Sequence, residues 1–222
     1  LVGATSQFSS SVTGGTWSSD NTAIATVNTN SGLVTGVSSG TATITYTVAG
    51  TGGCANATAT RTINVTAAPT AGTLSGNQNI CVGQNTSFAT SVSGGTWSSN
   101  NTAIATINAS GTITAVAAGT AAIVYTVAGS GGCSAATVSR NIIVSAPPTA
   151  GTLSGNQSIC VGSTTNFIPS VTGGTWSSTS PSIATVNATT GVITGITSGT
   201  TNIDYTIAGT GGCSPVTVSR SV

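Results

Sequence analysis

A fourteen-residue phrase, TAGTLSGNQNICVG at residues 70–83, returns as TAGTLSGNQSICVG at residues 149–162, with thirteen positions identical. The segment GGTWSS occurs three times and carries Trp17, Trp97 and Trp176. Phe8, Phe88 and Phe167 keep the spacing of the three Trp to within one residue, as do Tyr46, Tyr125 and Tyr205. Arg61, Arg140 and Arg220 recur likewise. A fixed period makes one repeat the folding unit. The 222 residues hold just under three units. A unit of about 80 residues has a modest core, burying about 60–65% of its unfolded surface. We expect repeats at 1–67, 68–146 and 147–222. The first is incomplete at its N-terminal side and the third at its C-terminal side, as in a piece of a longer array.

Within a repeat the local pattern is that of strands. Ala42, Ile44, Tyr46 and Val48 alternate with Thr41, Thr43, Thr45 and Thr47. Period two places the apolar set on one face and the hydroxyls on the other. The stretch recurs around Tyr125 and Tyr205, and Gly-Gly and Asn-rich turn signals separate such runs. Several short strands within each repeat predict an all-β sandwich or barrel, and no helical period competes. The joints AAPTAG (67–72) and APPTAG (146–151) are short and carry Pro69, Pro147 and Pro148. Proline stiffens such joints, which favours a semi-rigid series of repeats.

Composition excludes most chemistry. Charged residues make up 2% of the chain, three Arg and two Asp, with no His; an ordinary domain has about 25%. General acid–base catalysis and a Ser–His–Asp triad have no residues to use. Zinc or calcium sites lack ligands, so no catalytic, metal or cofactor residue is assigned and no cofactor is expected. Three Arg cannot neutralise a phosphate backbone, which excludes nucleic acid as a partner. No 18-residue apolar run is present, so no membrane insertion is expected of this segment. In place of charge the chain has 45 Thr and 32 Ser. Thr suits the outer face of a strand because its branched Cβ favours extended backbone.

Five cysteines occupy two positions of the repeat. Cys81 and Cys160 lie in ICVG; Cys54, Cys133 and Cys213 lie in GGC. Their matching separations in the second and third repeats predict bridges within repeats, Cys81–Cys133 and Cys160–Cys213. Pairing across the joints, Cys54–Cys81 and Cys133–Cys160, has two identical spacings and is the alternative. Cys54 is expected to be unpaired, because its within-repeat partner position is Leu1. Disulfides place a chain outside the cytosol.

Residues 17–48, WSSDNTAIATVNTNSGLVTGVSSGTATITYTV, resemble the bacterial immunoglobulin-like domains of group 2. The W-S-S-x-N opening, the A-T-V strand, the G-x-V-T hairpin and the G-T-A-T-I strand follow in the family's order. Residues 97–127 and 176–207 resemble it in the same way. The resemblance implies tandem Ig-like β-sandwiches stacked as a stalk, with no single ligand. The cysteine pair and the GTGGC segment are similar to repeats in very large cell-surface proteins of Bacteroidota, including gliding-motility adhesins. In such a sandwich Trp17, Trp97 and Trp176 are expected in the core with Tyr46, Tyr125 and Tyr205, rather than forming an exposed sugar platform. Each Arg is expected to stack on an aromatic ring or bond loop carbonyls. Asp20 and Asp204 do not recur and read as surface drift.

The reading is a structural stalk segment of an extracellular adhesin on the bacterial cell surface, not an enzyme. Its partners are neighbouring repeats and, through a distal region, an unidentified surface ligand. The alternative is a self-assembling filament or sheath subunit, whose uncharged faces permit lateral self-association.

Overall fold

The computed structural model describes residues 1–222. The chain is all-β with no helix, and its strands build Ig-like sandwiches. They divide into two compact units. One comprises Leu1–Leu74, Thr90–Trp97 and Val124–Ser139; the other comprises Ser75–Ala89, Ser98–Ile123 and Arg140–Val222.

In the first unit, Leu33–Gly36 lies between Thr5–Gln7 and Ala25–Val27 in an antiparallel sheet. A second sheet places Gly40–Val48 between Thr16–Ser19 and Ala57–Val65. Ala25 and Val34 from one sheet meet Ala42, Ile44 and Val65 from the other, with Phe8 closing the cluster. The alternation read from sequence is the physical cause. Ala42, Ile44 and Tyr46 are buried, while the threonines between them face outward along the nine-residue strand. Removing such side chains from water contributes roughly 1.5–3 kcal/mol for each large one.

The second unit repeats this plan with Val192–Gly195 between Thr164–Asn166 and Ala184–Val186, and Asn202–Ile207 between Thr175–Ser178 and Val216–Ser221. Its core is Phe167, Trp176, Ala184, Ile193, Ile203 and Tyr205, capped by Leu153. Thr201 stands where Ala42 and Ala121 stand in the other repeats and is the one buried polar residue. Its hydroxyl lies 3.1 Å from that of Thr179, which satisfies it. The same unit holds a parallel pair, Asn79–Cys81 beside the end of Ala136–Ser145, with Ser145 opposite Cys81.

Trp and Tyr meet across the strands. Trp17 is directly opposite Tyr46 and Trp176 opposite Tyr205, with ring centroids 4.7 and 4.5 Å apart. Trp97 and Tyr125 are 4.7 Å apart. The three Tyr are buried and so is Trp176, whereas Trp17 and Trp97 are half-buried. Each Tyr hydroxyl accepts the backbone N–H of the second glycine in GGTW: Gly15 at 2.8 Å, Gly95 at 2.7 Å and Gly174 at 2.7 Å. The Tyr46 hydroxyl also donates to the Val12 carbonyl at 2.9 Å. A Cβ on Gly15 would stand 2.5 Å from the Tyr46 ring, so the second glycine is a packing requirement.

Candidate functional site at the cysteine loops

The residues with chemical potential in this chain are its cysteines, and the structure corrects their pairing. One disulfide is present, Cys81–Cys213, with Cα atoms 4.7 Å apart and a sequence separation of 132. Cys133 and Cys160, expected in bridges to Cys81 and Cys213, are free thiols, as is Cys54. The alternative pairs Cys54–Cys81 and Cys133–Cys160 are not formed either.

The physical reason lies in the last strand of each repeat. Cys213 precedes Val216–Ser221, whereas Gln157, just ahead of Cys160, donates its side-chain N–H to the Ser221 carbonyl. The two cysteines thus sit at opposite ends of that strand, and about nine residues of extended chain span about 30 Å. A disulfide tolerates a Cα separation of about 7 Å at most. The partner within reach of the GGC loop is instead the ICVG cysteine of the preceding repeat. There Cys81 lies beside Ser145, at the end of the preceding repeat's last strand.

The loop that delivers each GGC cysteine is built identically three times. The cysteine N–H donates to the carbonyl three residues back: Cys54 to Thr51 at 3.2 Å, Cys133 to Ser130 at 3.0 Å, Cys213 to Thr210 at 3.1 Å. The first glycine of the pair has φ of +62°, +58° and +59° at Gly52, Gly131 and Gly211, a left-handed conformation that disfavours side chains. A Cβ on Gly50, Gly129 or Gly209 would run into the carbonyl of the cysteine that closes its loop.

What each loop touches differs. Gly211 abuts the Ser145 hydroxyl and Gly212 abuts Asn79 and Ile80. The Cys213 sulfur lies 3.5 and 3.4 Å from the Ser145 and Ala146 carbonyls. Gly131 abuts Thr66, which aligns with Ser145, and the Cys133 sulfur lies 3.5 Å from the Ala67 carbonyl. The backbone around the two seats also matches: Val2 N–H donates to Thr66 at 3.1 Å as Val82 N–H donates to Ser145 at 3.0 Å. Leu1 therefore stands where Cys81 stands, and Leu1, Val2, Ala67, Pro69 and Cys133 line one shallow apolar hollow. Cys133 is unpaired because its seat presents a leucine. Around Gly52 and Gly53 there is open space.

The arginines are tied to structure. Each guanidinium lies over the Phe of its own repeat: Arg61 over Phe8 at 5.0 Å, Arg140 over Phe88 at 5.6 Å and Arg220 over Phe167 at 5.4 Å. Arg220 also donates to the Leu153 and Gly155 carbonyls, both at 3.0 Å, and Arg140 donates to the Gly76 carbonyl at 3.2 Å. Asp20 has a role that its failure to recur concealed. Its carboxylate accepts the Thr43 N–H at 2.7 Å; Asn100 accepts the Ala122 N–H at 2.7 Å and Thr179 the Asn202 N–H at 3.2 Å. The position requires an acceptor, not a charge, which is why Asp, Asn and Thr alternate there. Asp204 accepts the hydroxyl of Ser219 across the sheet at 2.6 Å. No three His, Cys, Asp or Glu side chains cluster to hold a metal ion.

Comparison with known structures gives the S-layer protein SbsC, domains 4 and 5, at 14% identity over 68% of this chain and 98% of that one, with a TM-score of 0.33. A longer SbsC structure, residues 31–844, matches at 17% identity and a TM-score of 0.26 over 94% of this chain and 32% of that one. This chain thus spans about a third of that longer one. Drosophila N-cadherin EC1-4 matches at 9% identity over 100% of this chain and 70% of that one, with a TM-score of 0.34. No curated protein matches the chain. Residues 1–59 match the family of bacterial Ig-like domains, group 2, and the chain thus carries an Ig-like domain there.

Proposed function

We propose that the chain is a spacer segment of an extracellular bacterial surface protein, a series of Ig-like repeats at 1–67, 68–146 and 147–222 that holds a distal binding region away from the cell. The observation that carries this reading is the Cys81–Cys213 bond, which ties one repeat to the next rather than closing a repeat on itself. A bond across a joint restrains neighbours against being pulled apart, a property useful in a load-bearing stalk. Disulfide use supports an oxidising location, and the bacterial Ig-like match over residues 1–59 supports a bacterial surface setting. Near-absent charge supports a spacer whose fold is indifferent to salt. The segment performs no catalysis and leaves ligand specificity to the distal region. The host protein we propose is a large adhesin of the Bacteroidota gliding type, on the likeness of the cysteine pair and the GTGGC segment.

The test is antibody raised against residues 1–222, applied to intact producing cells and to a denaturing gel of their protein. Labelling without permeabilisation, with a band far above the 21.1 kDa of this chain, is expected. Labelling that requires permeabilisation overturns the surface location. A band near the chain's own mass overturns the spacer role and favours the filament subunit.

A further inference from the structure

We propose that the hollow between the GGTW loop and the hairpin after it binds one neutral sugar ring, best in the third repeat. There the buried Phe167, Trp176 and Tyr205 form the floor. Residues 172–174 form one wall and Thr189 and Thr190 the other, around about 390 Å³. The hollow stands with the leading strand of its repeat in place, Leu153–Ser154 paired with Ile168–Pro169. The first repeat has the same hollow from the same repeat positions: Phe8, Trp17 and Tyr46 below, Thr13, Asn30 and Ser31 at the rim. Both walls in the third repeat are fixed from within. The Tyr205 hydroxyl accepts the Gly174 N–H at 2.7 Å, and the Asn187 side-chain oxygen accepts the Thr189 and Thr190 N–H groups at 3.0 and 2.9 Å.

What the protein leaves unspent there is hydrogen-bonding capacity. Trp176 is 6% exposed, yet its indole N–H donates to no protein acceptor. A buried indole N–H normally has one. Its edge of the ring lies at the hairpin wall, with Nε1 2.8 Å from where a Cβ on Gly191 would stand. The Tyr205 hydroxyl accepts from Gly174 but donates to nothing in the protein, whereas the Tyr46 hydroxyl donates to the Val12 carbonyl. The hydroxyls of Thr172, Thr189 and Thr190 also have no protein partner. The second repeat differs. Its hairpin is one residue shorter, and the Ser110 hydroxyl is held by the Asn108 side-chain oxygen at 2.7 Å, 3.2 Å from the Thr112 hydroxyl.

These features select the ligand class. No charged side chain lines either hollow, so nothing there recognises a phosphate, a carboxylate or an ammonium. Hydroxyls that donate and accept match a ligand rich in the same group. The volume is near the low end of ligand pockets, about 300–1,000 Å³, and admits one ring rather than a folded segment. A hexopyranose sets its C–H face on the aromatic floor. One of its oxygens accepts the Trp176 N–H and another the Tyr205 O–H, while the threonine hydroxyls meet the ring's own. The aromatic faces stay in the core and only edges reach the sugar, so each site grips weakly and selectivity remains with the distal region. The inference goes beyond the spacer reading and does not rest on it, and its test uses purified chain, so the two fail separately.

The experiment labels the tryptophans isotopically and follows the three indole N–H signals by NMR, assigned with Trp17→Phe and Trp97→Phe. Methyl glycosides of glucose, galactose and mannose are the probes. The Trp176 signal is expected to move saturably with at least one of them, Trp17 to respond at higher concentration, and Trp97 to stay. Thr189→Val with Thr190→Val keeps the branched shape and removes only the hydroxyls. It should weaken the Trp176 response about tenfold, leave that of Trp17 as it was, and leave the sugar-free spectrum unchanged elsewhere. Polysaccharide from the producing cells and dextran, added separately, distinguish the cell's own coat from a foreign glycan as the source, and a response to either supports the site. No saturable movement of Trp176 with any probe overturns the proposal. So does equal movement of Trp97, or a double variant that binds as the parent does.

Discussion

Cys81 and Cys213 have a sequence separation of 132 and a Cα–Cα distance of 4.7 Å, and their bond joins the start of one repeat to a loop of the next. In the chain-entropy account, closing a loop of this length removes about 5 kcal/mol of freedom from the unfolded chain. The bond also makes two repeats share one constraint. Substitution Cys81→Ser with Cys213→Ser is expected to lower the stability of the third repeat by a few kcal/mol, at most about 5. Trp176 fluorescence, with Trp17 and Trp97 replaced by Phe, reports that repeat during denaturant unfolding. Alkylation of the unreduced, denatured chain should modify Cys54, Cys133 and Cys160 only. A peptide linking Cys81 to Cys133 would contradict the connectivity.

Leu1 offers the converse experiment. Its neighbour Val2 makes the backbone hydrogen bond to Thr66 that Val82 makes to Ser145, and Cys133 waits at the Ala67 carbonyl as Cys213 does at Ala146. Leu1→Cys is expected to form a disulfide between position 1 and Cys133. The bond should stabilise the unit that holds it by up to about 5 kcal/mol, since the loop closed is as long as that of Cys81–Cys213. Thiol titration in a Cys54→Ser, Cys160→Ser background reads the result: the variant has two free thiols before oxidation and none after. Two remaining after oxidation would show that the first seat differs from the second.

Much of this was legible beforehand, and for an identifiable reason. The alternation in Gly40–Val48 is a local property, and it specified which face of the strand enters the core. The arginines were legible as stacking residues because a lone cation recurring at one repeat position with Phe has few other partners. Disulfide connectivity was not legible. Cysteine spacings record chain length, whereas pairing depends on which end of the last strand each cysteine occupies. The acceptor role shared by Asp20, Asn100 and Thr179 was hidden for another reason. Three chemically different side chains perform it, and only the Thr43, Ala122 and Asn202 N–H groups they accept from reveal that they are equivalent.

The Gly-Gly of GGTW makes a prediction about packing. Gly15→Ala places a methyl 2.5 Å from the Tyr46 ring, next to the hydrogen bond that the Tyr46 hydroxyl accepts from the residue 15 N–H. Overpacking of this kind costs about 1–3 kcal/mol. Tyr46→Phe removes the hydroxyl from between the Gly15 N–H and the Val12 carbonyl at about 1–3 kcal/mol, the cost of leaving such groups unpaired. Combining the two substitutions should cost less than their sum, since the ring and hydroxyl act at one place. Denaturant midpoints of the four proteins in the cycle check this. Strict additivity would mean that the glycine acts through backbone conformation alone.

Arg220 and Arg61 are repeat equivalents with different surroundings, and the difference is testable. Both guanidinium groups lie over a Phe ring, at 5.4 and 5.0 Å. Arg220 also donates to the Leu153 and Gly155 carbonyls, which belong to the segment ahead of the ICVG position. Hydrogen bonds from a charged donor contribute about 1.5–3 kcal/mol each, and a cation over an aromatic ring about 0.5–2 kcal/mol. Arg220→Met is therefore expected to destabilise its repeat by more than Arg61→Met does, because the methionine keeps the apolar contact with Phe but donates nothing. Arg220→Lys should recover only part of the loss, since one ammonium cannot reproduce the guanidinium fork spanning two carbonyls. Hydrogen exchange of the Leu153, Ser154 and Ile168 amides reads the effect locally, as the short strand pair Leu153–Ser154 and Ile168–Pro169 carries the Leu153 acceptor. Equal losses for Arg220→Met and Arg61→Met would show that ring stacking, and not carbonyl bonding, is what the arginine contributes.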